Sequence, residues 1–259
     1  MTARDALREA ERRLAAAGLD TPRVDAELLV AHALGVSRTG LYADLDAQVD
    51  GLEPLLARRE AREPLAYVLG EWGFRRLTLK TDPRALVPRP ETEIVVERAL
   101  ELLDGAVAPR VLDVGVGSGA IALALKDERP DAHVTAVDVS VVALALAREN
   151  AERLGLDVEL REQGLDAAAE GWDLVVSNPP YVETLAGLQP ELGYEPEGAL
   201  VGTGFHERIA ATARTRFLVL EVGDGQAADV ARVLEAAGYC DVRVTADLAG
   251  VDRVVEGAR

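Results

Sequence analysis

At 259 residues and 49% hydrophobic, the chain can bury a core in one large domain or two modest ones, and its composition is not that of a disordered protein. A formal net charge of −17 works against broad contact with a phosphate backbone. A single cysteine, Cys240, excludes an internal disulfide and a cysteine-rich metal centre. No apolar run is long enough to span a bilayer, and Met1–Leu14 is too charged for a signal-peptide core. A cytoplasmic protein without direct nucleic-acid or membrane contact is expected.

The first part reads as helices. Leu7, Ala10, Leu14 and Ala17 share one helical face, ended by Gly18. Thr21-Pro22 opens a second helix with an apolar stripe of Val24, Leu28, Ala31 and Leu34, closed by Gly35. Ser37 is placed to cap a helix through Leu45, and Asp50 another to Arg62, stopped by Pro64. After Pro64 the texture changes. Tyr67-Val68-Leu69-Gly70, Trp72-Gly73-Phe74 and Leu77–Lys80 mix aromatics, glycines and alternation, which predicts a hairpin linking two domains. Acidic Glu91 and Glu93 then open a helix through about Leu103.

From Arg110 strand and helix alternate. Strands are expected at Val111–Val114, His133–Val137, Val158–Arg161, Trp172–Ser177, Phe217–Val222, Val242–Thr245 and Val251–Glu256. Helices are expected at Gly119–Asp127, Val141–Leu154, His206–Thr215 and Gln226–Ala237, with Val141–Ala147 as a buried face. Alternation with short connections predicts an α/β fold with a mostly parallel sheet covered on both sides.

Three features carry chemistry. The strand Val111–Val114 runs into Gly115-Val116-Gly117-Ser118-Gly119, a turn where the backbone can approach a ligand closely. Its spacing is not the dinucleotide fingerprint, which needs a further glycine. Asp138 ends the next strand, where a carboxylate can take both hydroxyls of a ribose or cap the following helix. Asp113 can order the glycine turn through backbone N–H groups. Third, Leu174-Val175-Val176 leads into Asn178-Pro179-Pro180-Tyr181, a stiff loop that must leave the sheet. The Asn178 side-chain carbonyl and the Pro179 carbonyl can accept both hydrogens of a planar NH2 group, and Tyr181 can cover its face. His32, His133 and His206 are scattered and show no metal-ligand spacing.

Asn178–Tyr181 together with Asp113–Gly119 resembles the S-adenosylmethionine-dependent amino methyltransferases. A longer match, Tyr67–Glu71, Phe74, Leu86–Glu93, Gly119–Leu125, Tyr194-Glu195-Pro196 and Leu220–Gly223 with Gln226, is similar to the glutamine-N5 methyltransferases of peptide-chain release factors. The resemblance implies a helical domain over residues 1–64 that helps bind the release factor and a β-hairpin linker over 65–86. It also implies a seven-stranded Rossmann-like methyltransferase domain over 87–259. By the same resemblance, Gly115, Val116, Gly117, Ser118 and Gly119 hold the methionine end of S-adenosyl-L-methionine, and Asp138 binds its ribose. Asn178, Pro179, Pro180 and Tyr181 would hold the glutamine amide of a Gly-Gly-Gln loop, with Asn178 also close to the cofactor. The partner would be a class 1 release factor and the enzyme a monomer.

The chain departs from the family pattern in places. Gln163 stands where an acid usually follows the third strand, near the adenine, and Gly164 stands where relatives are often bulky. Altered adenine contacts are expected there. The segment 195–203 and the approach to Phe217 are shorter than expected. Arg89 and Glu91 can face the cofactor, or serve only as a solvated partner and a helix-start charge. Two other functions stay open: methylation of an adenine amine in DNA or RNA, since its NH2 also sits on a planar carbon, and cofactor binding without turnover.

Overall fold

The structure is a computed structural model that describes residues 1–184 and 186–259. The chain divides into two compact units, Met1–Glu71 with Leu188–Tyr194, and Trp72–Gly187 with Glu195–Arg259.

The first unit is helical: α1 (Ala3–Ala16), α2 (Pro22–Leu34), α3 (Leu52–Glu60) and α4 (Leu65–Leu69). Thr2 caps α1, its hydroxyl accepting from the Asp5 N–H. Ala3, Ala6, Ala10 and Leu14 form the buried face of α1. The expected stripe on α2 is rotated: Val24 is exposed, and Asp25, Ala26, Glu27, Leu29, Val30 and Ala31 are buried. Periodicity counted only apolar residues, whereas two carboxylates go inward here because each meets a cation. Arg59 donates to Asp25 (2.7 Å), and Arg38 and the Tyr42 hydroxyl donate to Glu27. The segment Leu188–Tyr194 belongs to this unit through Glu191, which accepts from Arg59 (3.1 Å) and Arg62 (2.8 Å). The Ser37–Leu45 stretch holds only one 3-10 turn, Gly40–Ala43. Tyr67–Leu69 is helical, not extended, so the hairpin is confined to β1 (Glu71–Phe74) and β2 (Leu77–Lys80).

The remaining elements are α5 (Thr92–Leu102), β3 (Arg110–Val114), α6 (Ala120–Glu128), β4 (His133–Asp138), α7 (Val141–Leu154), β5 (Glu159–Glu162) and β6 (Trp172–Ser177). They continue with α8 (Glu197–Leu200), α9 (Phe205–Thr212), β7 (Thr215–Glu221), α10 (Ala227–Ala236), β8 (Cys240–Ala246) and β9 (Asp252–Ala258). The seven-stranded sheet has the order β5-β4-β3-β6-β7-β9-β8. The first five strands in that order are parallel, and β9 runs antiparallel between β7 and β8. Side chains alternate across the sheet. Val111, Leu174, Val176 and Val219 meet α5, α6 and α7 on one face, while Leu112, Val175, Leu218 and Leu220 meet α9 and α10 on the other. Val141 and Val142 stay exposed, so the buried face of α7 begins at Ala143.

β3 lies between β4 and β6, where the strand order reverses. In open α/β sheets the ligand crevice opens at the carboxyl ends of strands at such a point. Val114, Asp138, Ser177 and Glu221, the last residues of β3, β4, β6 and β7, end at that edge.

Candidate active site

A cavity of about 460 Å³ opens at this edge, within the range of ligand sites. Its wall includes Gly115–Ser118, Asp138–Ser140, Gln163–Leu165 and Asn178–Pro180. The three sequence features therefore converge on one cavity within the sheet unit.

The glycine turn is held by backbone. Gly115 and Val116 N–H both donate to the Val137 carbonyl (2.8 and 3.0 Å), and Gly119 N–H donates to Val116 (2.8 Å). Gly115 and Gly119 sit at φ +84° and +92°, which only glycine adopts without strain. A Cβ at Gly119 would also meet Leu123 Cδ1 at 2.8 Å. Asn150 of α7 fastens the turn from behind: its Nδ2 donates to the Ser118 carbonyl (2.9 Å), and its Oδ1 accepts from Lys80 N–H (2.7 Å).

The two aspartates divide the work differently from the sequence expectation. Asp138 orders the glycine turn, its Oδ2 accepting from Gly117 N–H (3.1 Å) while Oδ1 accepts from Ser140 N–H (2.8 Å). Ser140, not Asp138, caps α7. Asp113 binds one turn further on, with Oδ2 accepting from Ala122 N–H of α6 (3.1 Å). Its Oδ1 is buried without a partner among the described residues, and burial pushes its carboxyl up to about 7.

Gln163 lines the cavity, and its Nε2 donates to Asp166 Oδ2 (3.1 Å) and Glu170 Oε1 (3.2 Å). Two acceptors on Nε2 leave Oε1 as the free end. At Gly164 a Cβ would come no nearer than 3.4 Å to Asp166 and 3.7 Å to Val139, so there is room that the glycine leaves open.

The Asn-Pro-Pro-Tyr loop is held mainly by side chains. Asn178 Nδ2 donates to Thr92 Oγ1 (3.2 Å), and Thr92 Oγ1 donates to Glu221 Oε2 (2.6 Å). The Tyr181 hydroxyl donates to Glu221 Oε1 (3.3 Å). Gln226 Nε2 donates to the Tyr181 carbonyl (3.1 Å), and a Cβ at Gly223 would meet the Tyr181 ring at 2.9 Å. Tyr181 thus lies against β7 and its following turn rather than in the cavity wall. Burial, then the Glu221 charge, raises its phenol well above the ordinary value. Glu221 is 2% exposed, and burial lifts its carboxyl to about 7.

Glu195 braces two residues of the cavity wall, Val87 and Arg89. It accepts from Val87 N–H (2.9 Å) and Arg89 (2.5 Å), so Arg89 has a buried partner and is not a solvated charge. Glu93 accepts from Arg75 N–H (2.8 Å), away from the cavity wall. Thr92, Glu195, Glu221 and Asn150 were not singled out for a role from the sequence. The signal available was their place inside matched segments, Leu86–Glu93, Tyr194–Pro196 and Leu220–Gly223, for all but Asn150. No group of metal-binding side chains forms among the described residues, and no described helix is long and apolar enough to cross a membrane.

The donor set fits a nucleoside bearing an amino-acid tail: a half-buried carboxylate, a glycine turn, a free amide oxygen and apolar Val139, Leu165 and Ile121 surround one space. Residues 93–192 match the methyltransferase small domain family, and residues 5–70 match the PrmC N-terminal domain family. The sheet unit is a methyltransferase domain. The hMettl16 catalytic domain in complex with MAT2A 3′UTR hairpin 1 shares the fold, with a TM-score of 0.59, 18% identity and coverage of 79% of this chain and 80% of that one. The release factor glutamine methyltransferase of Deinococcus radiodurans is 43% identical over 100% of this chain and 99% of its own. That of Geobacter sulfurreducens is 42% identical over 94% of this chain and 92% of its own. The chain belongs to the release factor glutamine methyltransferase family.

Proposed function

We propose that the protein methylates N5 of the glutamine side chain in the Gly-Gly-Gln loop of class 1 peptide-chain release factors, with S-adenosylmethionine as donor. The observation that carries this reading is the position of Asn178, at the end of β6, in the wall of the same cavity as the glycine turn and Asp138. Bound there, S-adenosylmethionine supplies an electrophilic methyl on a sulfonium whose leaving group is already good. Gly115–Gly119 receive its methionine end, Asp138 its ribose hydroxyls, and Gln163 and Gly164 its adenine edge.

The acceptor nitrogen is a poor nucleophile because its lone pair is delocalised into the carbonyl. Asn178 Oδ1 and the Pro179 carbonyl accept its two hydrogens, which turns the lone pair toward the methyl and favours the positive charge that develops on nitrogen. Pro180 stiffens that carbonyl, and Tyr181, hydrogen-bonded to Glu221 and Gln226 beside the cavity, braces the loop from behind. After transfer one proton leaves to water, giving N5-methylglutamine and S-adenosylhomocysteine. The helical region recognises the release factor, and the enzyme acts in the cytoplasm as a monomer without binding nucleic acid directly.

The test is transfer of labelled methyl to a purified release factor, to the same factor with its loop glutamine replaced by alanine, and to an adenine-containing oligonucleotide. Label on the intact factor alone is expected. Label on the oligonucleotide alone would move the acceptor to adenine, and no label with cofactor binding intact would leave a binding protein.

A further inference from the structure

Thr92 and Glu221 are both buried, at 4% and 2% exposure, and neither lies in the machinery assigned above. They form the end of a hydrogen-bond chain that begins on Asn178. A hydroxyl has a single hydrogen. While that hydrogen points to an ionised Glu221, Thr92 Oγ1 can only accept, and it accepts from Asn178 Nδ2. The amide is then fixed with Oδ1 toward the acceptor. A proton on Glu221 Oε2 would point at Thr92 instead. Thr92 would turn its own hydrogen to the asparagine, which must answer with Oδ1. The NH2 would then face the hydrogens of the acceptor nitrogen, donor against donor.

We propose that Thr92 and Glu221 are positioning residues that select which end of the Asn178 amide meets the acceptor, and that protonation of Glu221 reverses the choice. The proposal rests on the reading above for the identity of the acceptor; the chain of hydrogen bonds stands on its own.

The groups facing Glu221 come from each element around it. Glu91 precedes Thr92 at the start of α5 and raises its carboxyl, while Arg253 of β9 lowers it. The Thr92 and Tyr181 hydroxyls lower it by hydrogen bonding, and burial outweighs them all. His206 of α9 meets the Glu221 backbone carbonyl through Nε2 (2.8 Å), and burial holds its imidazole below the ordinary value. Arg89 is paired with Glu195. The carboxyl therefore titrates near about 7, inside the working range of an enzyme.

The chain contains two asparagines, Asn150 and Asn178. Selective ¹⁵N-asparagine labelling of the whole protein therefore reads the relevant amide beside an internal control. Asn150 Nδ2 donates to two backbone carbonyls, of Lys80 and Ser118, which do not titrate. Its resonances should stay still between about pH 5.5 and 8.5 while those of Asn178 move with a midpoint near 7. Thr92→Val should freeze Asn178 and Thr92→Ser should restore the movement, whereas Glu221→Gln should abolish it. Single-turnover transfer at saturating cofactor should be about tenfold slower at pH 6 than at pH 8 in the native enzyme, and should lose that dependence in Glu221→Gln. Thr92→Val should be about tenfold slower at pH 8, with Thr92→Ser rescued and cofactor affinity unchanged in both. An Asn178 amide that does not titrate, or that titrates equally in Thr92→Val, overturns the proposal. An amide that titrates through Thr92 in an enzyme that does not methylate a release factor leaves the positioning role intact and removes the acceptor assignment.

Discussion

The two ends of the cavity are built from different materials. At the glycine turn the backbone does most of the holding, Gly115 and Val116 N–H on Val137 and Gly119 N–H on Val116, with the Asp138 carboxylate accepting from Gly117 N–H. At the Asn-Pro-Pro-Tyr loop, side chains do it, from Asn178 through Thr92 to Glu221 and from Tyr181 to the same carboxylate. A backbone cradle is set by strand register and glycine conformation, and its N–H donors keep their direction at any pH. A side-chain chain has a direction, and that direction depends on one buried proton. Cofactor binding should therefore tolerate changes of pH that the amide end does not.

The strongest way to break this division is Asn178→Ala. Loss of an aligned charge-stabilising contact costs on the order of 10² to 10³ in rate. We expect turnover on the release factor to fall by that much while cofactor affinity, read by calorimetry, changes by less than about threefold. An equal loss in both would mean that the two ends act as one site.

Each end also contains a buried carboxyl lifted to about 7, Asp113 beneath the turn and Glu221 beneath the loop. Both folded values lie above the ordinary 3.8 and 4.5. Between those values and 7 the folded state holds protons that the unfolded chain has released. Stability is thus fully present below the lower values and is lost as pH rises through about 7. Asp113, with one oxygen unpartnered, is the simpler case. Asp113→Asn should flatten the pH dependence of the urea midpoint between about pH 5 and 8 and raise stability at the alkaline end by up to a few kcal/mol. An unchanged slope would remove Asp113 as its source.

The backbone end is tested by Gly115→Ala. The added Cβ meets no atom within 4 Å, so the only penalty is its φ of +84°, worth about 1–2 kcal/mol. Cofactor affinity should weaken by about tenfold, with the pH profile of turnover unmoved. A shifted profile would show that the turn and the loop are coupled.

What could be read in the sequence follows the same division. The glycine turn, the strand ends and the order of sheet elements are local, so Gly115–Gly119, Asp138 and Asn178 were visible as short patterns. The side-chain end is assembled across the chain: Thr92 and Asn178 are 86 residues apart, Thr92 and Glu221 129, and Val87 and Glu195 108. No local period reports such pairs. The antiparallel insertion of β9 between β7 and β8 was hidden for the same reason, since two late strands read alike in either order. In the helical unit, a stripe drawn from apolar residues missed Asp25 and Glu27 because their burial depends on cations at Arg59 and Arg38. The contact to the glycine turn, open to Asp113 in the sequence and made by Asp138 in the structure, shows the limit within one motif. Both sit at the end of a strand, and only the register of β3 against β4 decides which carboxylate reaches Gly117.

Gln163 is a further place, beside Asp138 and Asn150, where the cofactor end relies on a side chain. Its Nε2 is anchored by Asp166 and Glu170, which turns Oε1 outward as an acceptor for an exocyclic amine. An acid in this position would accept the same hydrogen with a charge; the anchored amide does so without one. The side chain is half-buried and neutral, so its contribution should be that of a single neutral hydrogen bond, about 0.5–1.5 kcal/mol. Gln163→Ala should weaken S-adenosylmethionine and S-adenosylhomocysteine alike, by about three- to tenfold, because the contact is to the base and not to the reacting sulfur. Asp166→Ala should give a smaller loss, since Glu170 still holds the amide. If Gln163→Ala changed turnover at saturating cofactor, the base contact would be reaching the acceptor end, and the separation drawn between the two halves of the cavity would fail at that residue.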